Sequence, residues 1–399
     1  MIDGSPGGKA PLPGTVSRTA SCRVVRALPA LVLGAALVLA GGRGARAVDE
    51  ITTQDYVGPL GVAEEAAAGH TGKGVNIAVI DGPADTTVPE LAGADVTVEP
   101  TCDFAASAEG IGHGTAVVSL LAARGYGVAR DAHITNYAVP TGDGEDDSEG
   151  DDSCPGVVDV INRAITDGAR VISVSLGEAT SASFLFGHGS TVIARAIARG
   201  VVVVAATGNK GRQDEPGSFA SQNGIVGVGA SDTSGSIQEF SNYGNGLTVL
   251  APGVGIEVRD MATGQIAQAE GTSFATPIVA GFVAVAMQQW PEATANQIVQ
   301  SLVSTATTGP TGQPFLNPVA LATTDPAQFP DESPLLDKFP GQYPSAGSLA
   351  DYVDGLIDSE SVFNVDPAYV YRGTDEYVAS RHPERSALGT SPRYHEPTG

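Results

Sequence analysis

Three polar residues, Asp81, His113 and Ser273, each stand beside a short apolar run of the sequence. Asp81 directly follows VNIAVI, His113 comes just before an apolar stretch that begins at residue 114, and Ser273 opens another. Together they supply the carboxylate, imidazole and hydroxyl of nucleophilic acyl transfer, because a serine needs a neutral imidazole to take its proton. The carboxylate would fix the imidazole's tautomer. Each residue alone has an ordinary explanation as a strand end, a turn or a helix N-cap, so this chemistry requires the fold to bring them together.

The surrounding segments predict an α/β fold, a doubly wound, mostly parallel sheet with helices on both faces. From Lys73 onward, β-branched runs alternate with helical stretches, as they do when a parallel sheet is covered on both sides. Reactive groups of such a sheet gather where strands end and the chain turns toward a helix. The predicted strands span 75–80, 134–139, 170–176 and 201–207, and the predicted helices 114–123, 155–169, 190–200, 272–289 and 294–306.

Several blocks in order give the chain a resemblance to a known family. The most specific is GTSFATPIVAG at 271–281, supported by HGTAVVSLLAA, SVSLG, VVVVAATGNKG, FSNYG and LAPG. With the chain order Asp, His, Ser, these blocks resemble the subtilisin-like serine proteases, the subtilases of peptidase family S8, from about Thr71 to Thr308. The resemblance implies a serine endopeptidase with Asp81, His113 and Ser273 as catalytic triad, an acyl-enzyme intermediate, a polypeptide substrate and no required cofactor.

The resemblance also implies which residues hold the substrate. Asn209, in ATGNKG, matches the position whose side-chain amide donates to the oxyanion, although a turn after a strand also explains a Gly-Asn pair. Thr207 stands where alanine or glycine is more usual, which predicts a narrower or more polar pocket. The two edges of the first specificity pocket correspond to Ser175, Leu176 and Gly177 on one side and to Ala205, Ala206, Thr207 and Gly208 on the other.

The chain departs from the family pattern at a few positions. The run Asp81-Gly82-Pro83 lacks the hydroxyl residue that usually follows the aspartate. It resembles the subtilases that process ribosomally made peptide natural products, which favours a dedicated maturation substrate as well as general scavenging. Phe274 replaces a commoner methionine with another apolar side chain of similar size. Pro277 is expected in the first turn of the helix that Ser273 opens, where proline is tolerated.

The N-terminal residues have the layout of a secretory signal peptide. Arginines precede an apolar run at 27–40, which is shorter than the roughly 20 residues of a membrane anchor, and Ala45-Arg46-Ala47 follows it. We expect cleavage after Ala47 and secretion, with a retained anchor as the alternative. The predicted parts are the signal peptide 1–47, a short extension 48–70, the catalytic domain 71–310 and an acidic, proline-rich tail 311–399. The tail is either disordered or docked, and the extension is too short to resemble the usual propeptide that assists folding.

Export would leave Cys102 and Cys154 as an even pair of cysteines in an oxidising compartment, because Cys22 lies in the signal peptide. A disulfide between them is predicted. The alternative is two unpaired, buried thiols.

A formal charge of −24 and a pI near 4.4 exclude nucleic acid and anionic membranes as partners and favour a soluble monomer. The most acidic segment, GDGEDDSEGDD at 142–152, has two explanations, a solvated surface loop or a calcium site, and its spacing does not match an EF-hand. Since this loop follows the strand that binds upstream substrate residues in the family, it predicts a preference for basic upstream residues. Structural calcium remains open, and no residue is assigned as a metal ligand.

Two other functions compete with a subtilase enzyme. One is a catalytically silent scaffold of the same family that binds peptides, against which the complete Asp, His and Ser set argues. The other is an esterase of the α/β-hydrolase type, which needs a Gly-x-Ser-x-Gly elbow and the order Ser, acid, His. No elbow stands in that order here.

Overall fold

A computed structural model describes residues 49–141, 154–176, 188–214, 218–357, 362 and 365–371. The predictions for the signal peptide, for the acidic segment 142–152 and for Gly177 therefore lie outside the described residues. Within the described ranges, no helix combines the length and the apolar character needed to cross a membrane.

Most strands of the described chain join one sheet of nine, in the order β10-β11-β7-β6-β5-β4-β1-β3-β2, and β8 and β9 form a separate hairpin. The strands are β1 (Asn76–Asp81), β2 (Val96–Pro100), β3 (His133–Ala138), β4 (Val171–Val174), β5 (Val202–Ala206), β6 (Val226–Ser231), β7 (Val249–Pro252), β8 (Ile256–Arg259), β9 (Ile266–Ala269), β10 (Thr307–Thr308) and β11 (Pro314–Phe315). The helices are α1 (Val62–Ala67), α2 (Ala108–Ala122), α3 (Val157–Thr166), α4 (His188–Ala198), α5 (Thr272–Gln289), α6 (Ala295–Thr305), α7 (Pro318–Thr323) and α8 (Ala346–Val353).

Strands β1 to β7 pair with one another only in parallel, so their carboxyl ends meet at one edge of the sheet. In this register Asp81, the last residue of β1, pairs with Ala138 of β3, and Ile80 pairs with Val174 of β4. Val174 in turn pairs with Ala205 of β5. The edge therefore gathers the ends of β1, β4 and β5, which carry three of the predicted site segments.

Helices cover both faces of the sheet, as the alternating pattern predicts. Alternate residues of β1 face opposite layers: Ile77 and Val79 join the apolar cluster that contains α2 and α5, and Ala78 and Ile80 join the cluster that contains α3 and α4. Helix α5 is buried from Thr272 through Met287, because it runs through the middle of the first layer. A helix that is apolar on every side is what such a position requires.

Two local predictions differ from the structure. Helix α2 begins at Ala108 rather than at residue 114, with the Ser107 side chain capping it by accepting from the Gly110 N–H. His113 therefore lies inside the helix and not before it. Strand β2 was not predicted, because Val96–Pro100 is a partly exposed edge strand whose VTVEP sequence ends in a proline.

The C-terminal segment, from residue 311 onward, is hydrogen-bonded to the domain at residues 335–338. The Gly224 N–H donates to the Leu335 carbonyl over 2.7 Å, and Asn223 Nδ2 donates to the Leu336 carbonyl over 2.8 Å. Lys338 then turns its ammonium inward and donates to three backbone carbonyls, those of Ala220, Ile225 and Gly246, over 2.6, 2.9 and 2.9 Å. Of the two interpretations of the tail, disordered or docked, the docked one describes residues 335–338.

A second anchor of the C-terminal segment lies against α4. Asp366 accepts a hydrogen bond from the Tyr352 hydroxyl over 2.9 Å and faces Arg195 and Arg199 at 3.5 and 3.4 Å. Burial alone would raise the pKa of Asp366, but the Tyr352 hydrogen bond and the charge of Arg195 outweigh burial and lower it. A carboxylate thus holds the end of the described chain to the surface of α4.

The predicted disulfide is present. Cys102, after β2, and Cys154, before α3, are joined with an Sγ–Sγ distance of 2.05 Å.

Candidate active site

A fully buried carboxylate at the end of β1 is the centre of the site. Asp81 Oδ1 accepts the Gly82 N–H over 2.7 Å and lies 2.8 Å from His113 Nδ1. The other carboxylate oxygen, Oδ2, has no hydrogen-bond partner among the described residues. This matches the sequence, in which Gly82 takes the place of a hydroxyl residue. The carboxylate is held through one oxygen, and that oxygen orients the imidazole.

Glycines let α2 approach the end of β1 closely enough for this pair to form. A Cβ on Gly114 would lie 2.1 Å from the Gly82 carbonyl oxygen, and a Cβ on Gly82 would lie 2.3 Å from the Gly110 carbonyl oxygen. Neither approach leaves space for a side chain. The glycines that flank Asp81 and His113 in the sequence therefore allow α2 to pack on the loop after β1. This close contact brings His113 within hydrogen-bond distance of Asp81.

The same loop is held by a polar residue that sequence reasoning missed. Asn136, fully buried in β3, accepts the Ala84 N–H over 2.8 Å and directs Nδ2 to the Gly82 carbonyl at 3.3 Å. A buried amide is unfavourable unless it is hydrogen-bonded, and these bonds fix the turn that follows Asp81. The available signal was the amide side chain of Asn136 inside the predicted strand ITNYAV.

The environment of His113 favours its protonated form. Burial alone would lower the pKa of His113, but the charge of Asp81 and the hydrogen bond to it outweigh burial, and Glu109 adds to their effect. The pKa of His113 is therefore raised above its usual value of 6.5. An imidazole in this setting takes up a proton readily, which is what a general base must do when a hydroxyl attacks.

Ser273 lies in the first turn of α5, as predicted, and is almost completely buried. The ring of the next residue, Phe274, lies 5.4 Å from the His113 ring, centroid to centroid, which places the start of α5 beside the imidazole. Backbone N–H groups in the first helical turn lack partners within the helix and favour negative charge near them.

The prediction that Pro277 lies in the first turn of this helix is wrong, since α5 begins at Thr272 and Pro277 stands inside it. A proline there has no N–H to donate to the carbonyl four residues earlier, which is that of Ser273. The Ser175 hydroxyl donates to this carbonyl instead, over 2.9 Å. Pro277 thus leaves the Ser273 carbonyl without a donor in the helix, and Ser175, in the segment after β4, supplies one.

The Asn209 side chain is oriented by the start of α5. Its Oδ1 accepts both the Thr272 N–H and the Thr272 hydroxyl, each over 2.9 Å. With Oδ1 occupied, the donor Nδ2 lies on the side of Gly271, where an added Cβ would be 3.4 Å away. Asn209 is exposed, so this amide can donate to a bound group.

The residues predicted to form the specificity pocket follow two adjacent strands. Ser175 and Leu176 continue from β4, and Ala205 and Ala206 end β5, whose register with β4 pairs Ala205 with Val174. Thr207 and Gly208 come next, and Gly177 lies outside the described residues. That Thr207 makes the pocket narrower or more polar stays a prediction. Its buried hydroxyl donates to the Asn242 carbonyl over 3.3 Å.

Among the described residues, no group of three or more His, Cys, Asp or Glu side chains is arranged to hold a metal ion. The groups at the edge of the sheet are instead a buried carboxylate bonded to an imidazole, a hydroxyl at a helix start and an oriented amide. Their chemistry is that of serine-type acyl transfer.

The family model described as the subtilase family matches residues 72–320, more than half of the chain. The chain belongs to the subtilase family, as its motifs predict. It is 34% identical over 265 residues to subtilisin E of Bacillus subtilis (strain 168) and 33% identical over 265 residues to subtilisin of Bacillus pumilus. The match covers 62% of this chain in both cases, and 66% of the first relative and 91% of the second.

Among solved structures, the patellamide maturation protease PatA is 27% identical with a TM-score of 0.52, covering 63% of this chain and 96% of that one. The patellamide maturation protease PatG, 20% identical with a TM-score of 0.56, shares the fold, covering 67% of this chain and 96% of the other. The doubly wound α/β fold expected from the sequence is thereby confirmed.

Proposed function

We propose that this subtilase is a secreted serine endopeptidase that hydrolyses peptide bonds through Asp81, His113 and Ser273, with an acyl-enzyme intermediate. One observation carries the proposal: Asp81 holds the His113 imidazole through Nδ1, beside the start of the helix that bears Ser273.

In the first half of the reaction, Ser273 Oγ attacks the substrate carbonyl carbon while its proton passes to His113 Nε2. Asp81 keeps its bond to the Nδ1–H and stabilises the imidazolium. The negative oxygen of the tetrahedral intermediate accepts from Asn209 Nδ2. The carbon–nitrogen bond then breaks, His113 gives the proton to the leaving amine, and the acyl group remains on Ser273.

In the second half, water attacks the acyl carbon and gives a proton to His113. The Ser273 oxygen leaves with that proton, and the carboxylic acid product is released. Apart from water and the substrate, the chain's own residues supply every group that these steps use, so no cofactor is part of the proposal.

The proposed location is outside the cell, and the proposed form is a monomer that acts on polypeptides. The N-terminal signal layout supports export, as does the disulfide between Cys102 and Cys154, since such bonds persist in oxidising compartments. The strongly acidic composition argues against nucleic acid as a partner.

A dedicated maturation protease is the second candidate function. Two observations favour it: the Asp81-Gly82-Pro83 run, and the fold shared with PatA at 27% identity. A mixture of unrelated peptides separates the two, because a general endopeptidase cuts many of them whereas a maturation enzyme cuts at one motif.

Labelling by a fluorophosphonate tests the enzymatic proposal. The wild-type protein is expected to be labelled and to hydrolyse a casein substrate, and Ser273→Ala is expected to lose the label and about a millionfold in kcat, the size of this loss in subtilisins. Ser304→Ala, an exposed serine of α6, is the matched control and keeps both activities. Absence of labelling in folded wild-type protein would overturn the proposal and favour a peptide-binding module.

A further inference from the structure

A cavity of about 520 Å³ opens beside His113, between α2 and the β8–β9 hairpin. Its walls are mostly apolar and are formed by Ala116 of α2, Val258 of β8, Met261, Ala269 of β9 and Phe274 of α5. Its volume is larger than any single amino-acid side chain, so size alone does not exclude a long one. The cavity can therefore bury the methylene groups of a bound side chain.

Two carboxylates stand at the rim of this cavity. Glu109, in the first turn of α2, and Asp260, after β8, are both exposed and both line it. Hydrogen bonds from Thr263 and from the Ala262 N–H lower the pKa of Asp260, so that it is ionised at neutral pH. The charge of Glu109 reaches the imidazole, because it contributes to the raised pKa of His113.

The one arginine of the cavity wall does not neutralise this rim. Arg259 is buried and forms an ion pair with Glu90, which is also buried, and its guanidinium donates to the Gly264 carbonyl over 3.2 Å. Its charge is thus matched on the inner side of β8. The rim of the cavity keeps the two negative charges of Glu109 and Asp260.

The position of the cavity identifies the part of the substrate that reaches it. In the proposed reaction, the acyl half of the substrate lies against Asn209 and the predicted pocket segments after β4 and β5, and none of these lines the cavity. The cavity shares His113 and Phe274 with the site, and His113 is the group that delivers a proton to the leaving amine. The cavity therefore lies on the leaving-group side of the scissile bond.

We propose that this cavity binds the side chain of the residue that follows the scissile bond and selects lysine or arginine there. The apolar walls would hold the methylene groups, and the ammonium or guanidinium would lie at the rim between Glu109 and Asp260. This inference rests on the proposed endopeptidase function and names a substrate class for it. It concerns the downstream side of the bond, whereas the acidic segment 142–152 bears on the upstream side.

Four internally quenched peptides test it, identical except for lysine, arginine, norleucine or glutamate after the cleaved bond, with the cut located by mass spectrometry. Norleucine keeps the methylene groups of lysine without the charge. At low salt, we expect kcat/KM for the lysine peptide to exceed that for the norleucine peptide about tenfold, and glutamate to be the poorest. A single exposed ion pair is weak and is screened by salt, so the ratio is expected at low salt and with both carboxylates present.

The double variant Glu109→Gln, Asp260→Asn is expected to bring the lysine to norleucine ratio close to one. Asparagine at 260 can still accept the N–H groups of Ala262 and Thr263, which keeps the hairpin turn. Glu292→Gln, an exposed carboxylate outside the cavity lining, is the matched control and should keep the wild-type ratio. Glu109→Gln should also move the acid limb of kcat/KM to lower pH, because it removes a charge that raises the pKa of His113.

The outcomes separate the inference from the function on which it rests. Hydrolysis of all four peptides with equal efficiency would overturn the inference and leave the endopeptidase intact. A lysine preference that survives in the double variant would also overturn it and would indicate attraction by the net charge of the chain. Hydrolysis of none of the peptides, or of any protein substrate, would mean that the proposed function itself is wrong.

Discussion

The two ends of the domain each bury a charged group, and they surround it differently. At the edge of the sheet, Asp81 is bonded to the imidazole of His113, a partner that gains and loses a proton. In the C-terminal segment, Lys338 is bonded to the backbone carbonyls of Ala220, Ile225 and Gly246, which never change their charge. The carboxylate assigned to the proposed reaction therefore has a partner that titrates, whereas Lys338 is surrounded by fixed dipoles.

The electrostatic consequences differ in the same way. Asp81 raises the pKa of His113 above its usual value despite burial. Burial lowers the pKa of Lys338 to about 7, and the nearby charge of Asp214 offsets only part of that effect. Asp81 and His113 should therefore affect the rate of the reaction, and Lys338 should affect the free energy of unfolding. Each of the following substitutions tests one side of this contrast.

Among the substitutions that test this contrast, the largest effect is expected for Asp81→Asn. An asparagine amide at this position favours the wrong tautomer of His113, and kcat should fall about ten-thousandfold, the loss found for this change in another serine protease. The thermal unfolding midpoint should change little compared with that loss. Steady-state hydrolysis and a melting curve on the same preparation check both. A large fall in stability with only a small fall in kcat would contradict the assignment of Asp81.

Lys338→Met should have the opposite signature. At pH 9, above its pKa of about 7, Lys338 is a neutral amine with two N–H donors. Its removal leaves buried carbonyls without a donor, and we expect a loss of about 3 kcal/mol in the free energy of unfolding, with kcat of the folded enzyme unchanged. Chemical denaturation gives the first quantity and hydrolysis well below the midpoint gives the second. Lys73→Met, at an exposed position, is the control and should leave both unchanged.

The destabilisation caused by Lys338→Met should also depend on pH. The native pKa of about 7 lies below the usual 10.5, so the folded protein binds fewer protons than the unfolded chain between these values. Stability contributed by Lys338 therefore rises with pH over that interval. The difference between wild type and variant should be larger at pH 9 than at pH 6. A difference that shrinks with rising pH would show that the pKa of Lys338 is raised in the folded protein, which would mean that the three carbonyls outweigh burial.

The sequence predicts the elements that carry Asp81 and Ser273 better than it predicts the contacts of the C-terminal segment, for physical reasons. The strand before Asp81 and the helix that carries Ser273 are continuous apolar runs, so the local sequence pattern is enough to predict both elements. Helix α2 was placed too late because Gly110, Gly112 and Gly114 disfavour helix, and only tight packing on the loop after β1 overrides that preference. The three carbonyls around Lys338 come from distant segments, and no local pattern indicates them. The same holds for the rim of the cavity, since Glu109 and Asp260 meet only in the folded chain.

The smallest effect is expected where an uncharged hydroxyl positions the serine. Ser175 donates to the Ser273 carbonyl that Pro277 leaves without a helical partner. Ser175→Ala should cost about 1 kcal/mol, seen as a fall of up to about tenfold in kcat, because the start of α5 is then held less firmly. Ser175→Thr keeps the hydroxyl and should recover most of that loss, provided that its extra methyl group is accommodated. If both variants lost kcat equally, the hydroxyl would have no part in positioning Ser273, and packing alone would account for Ser175.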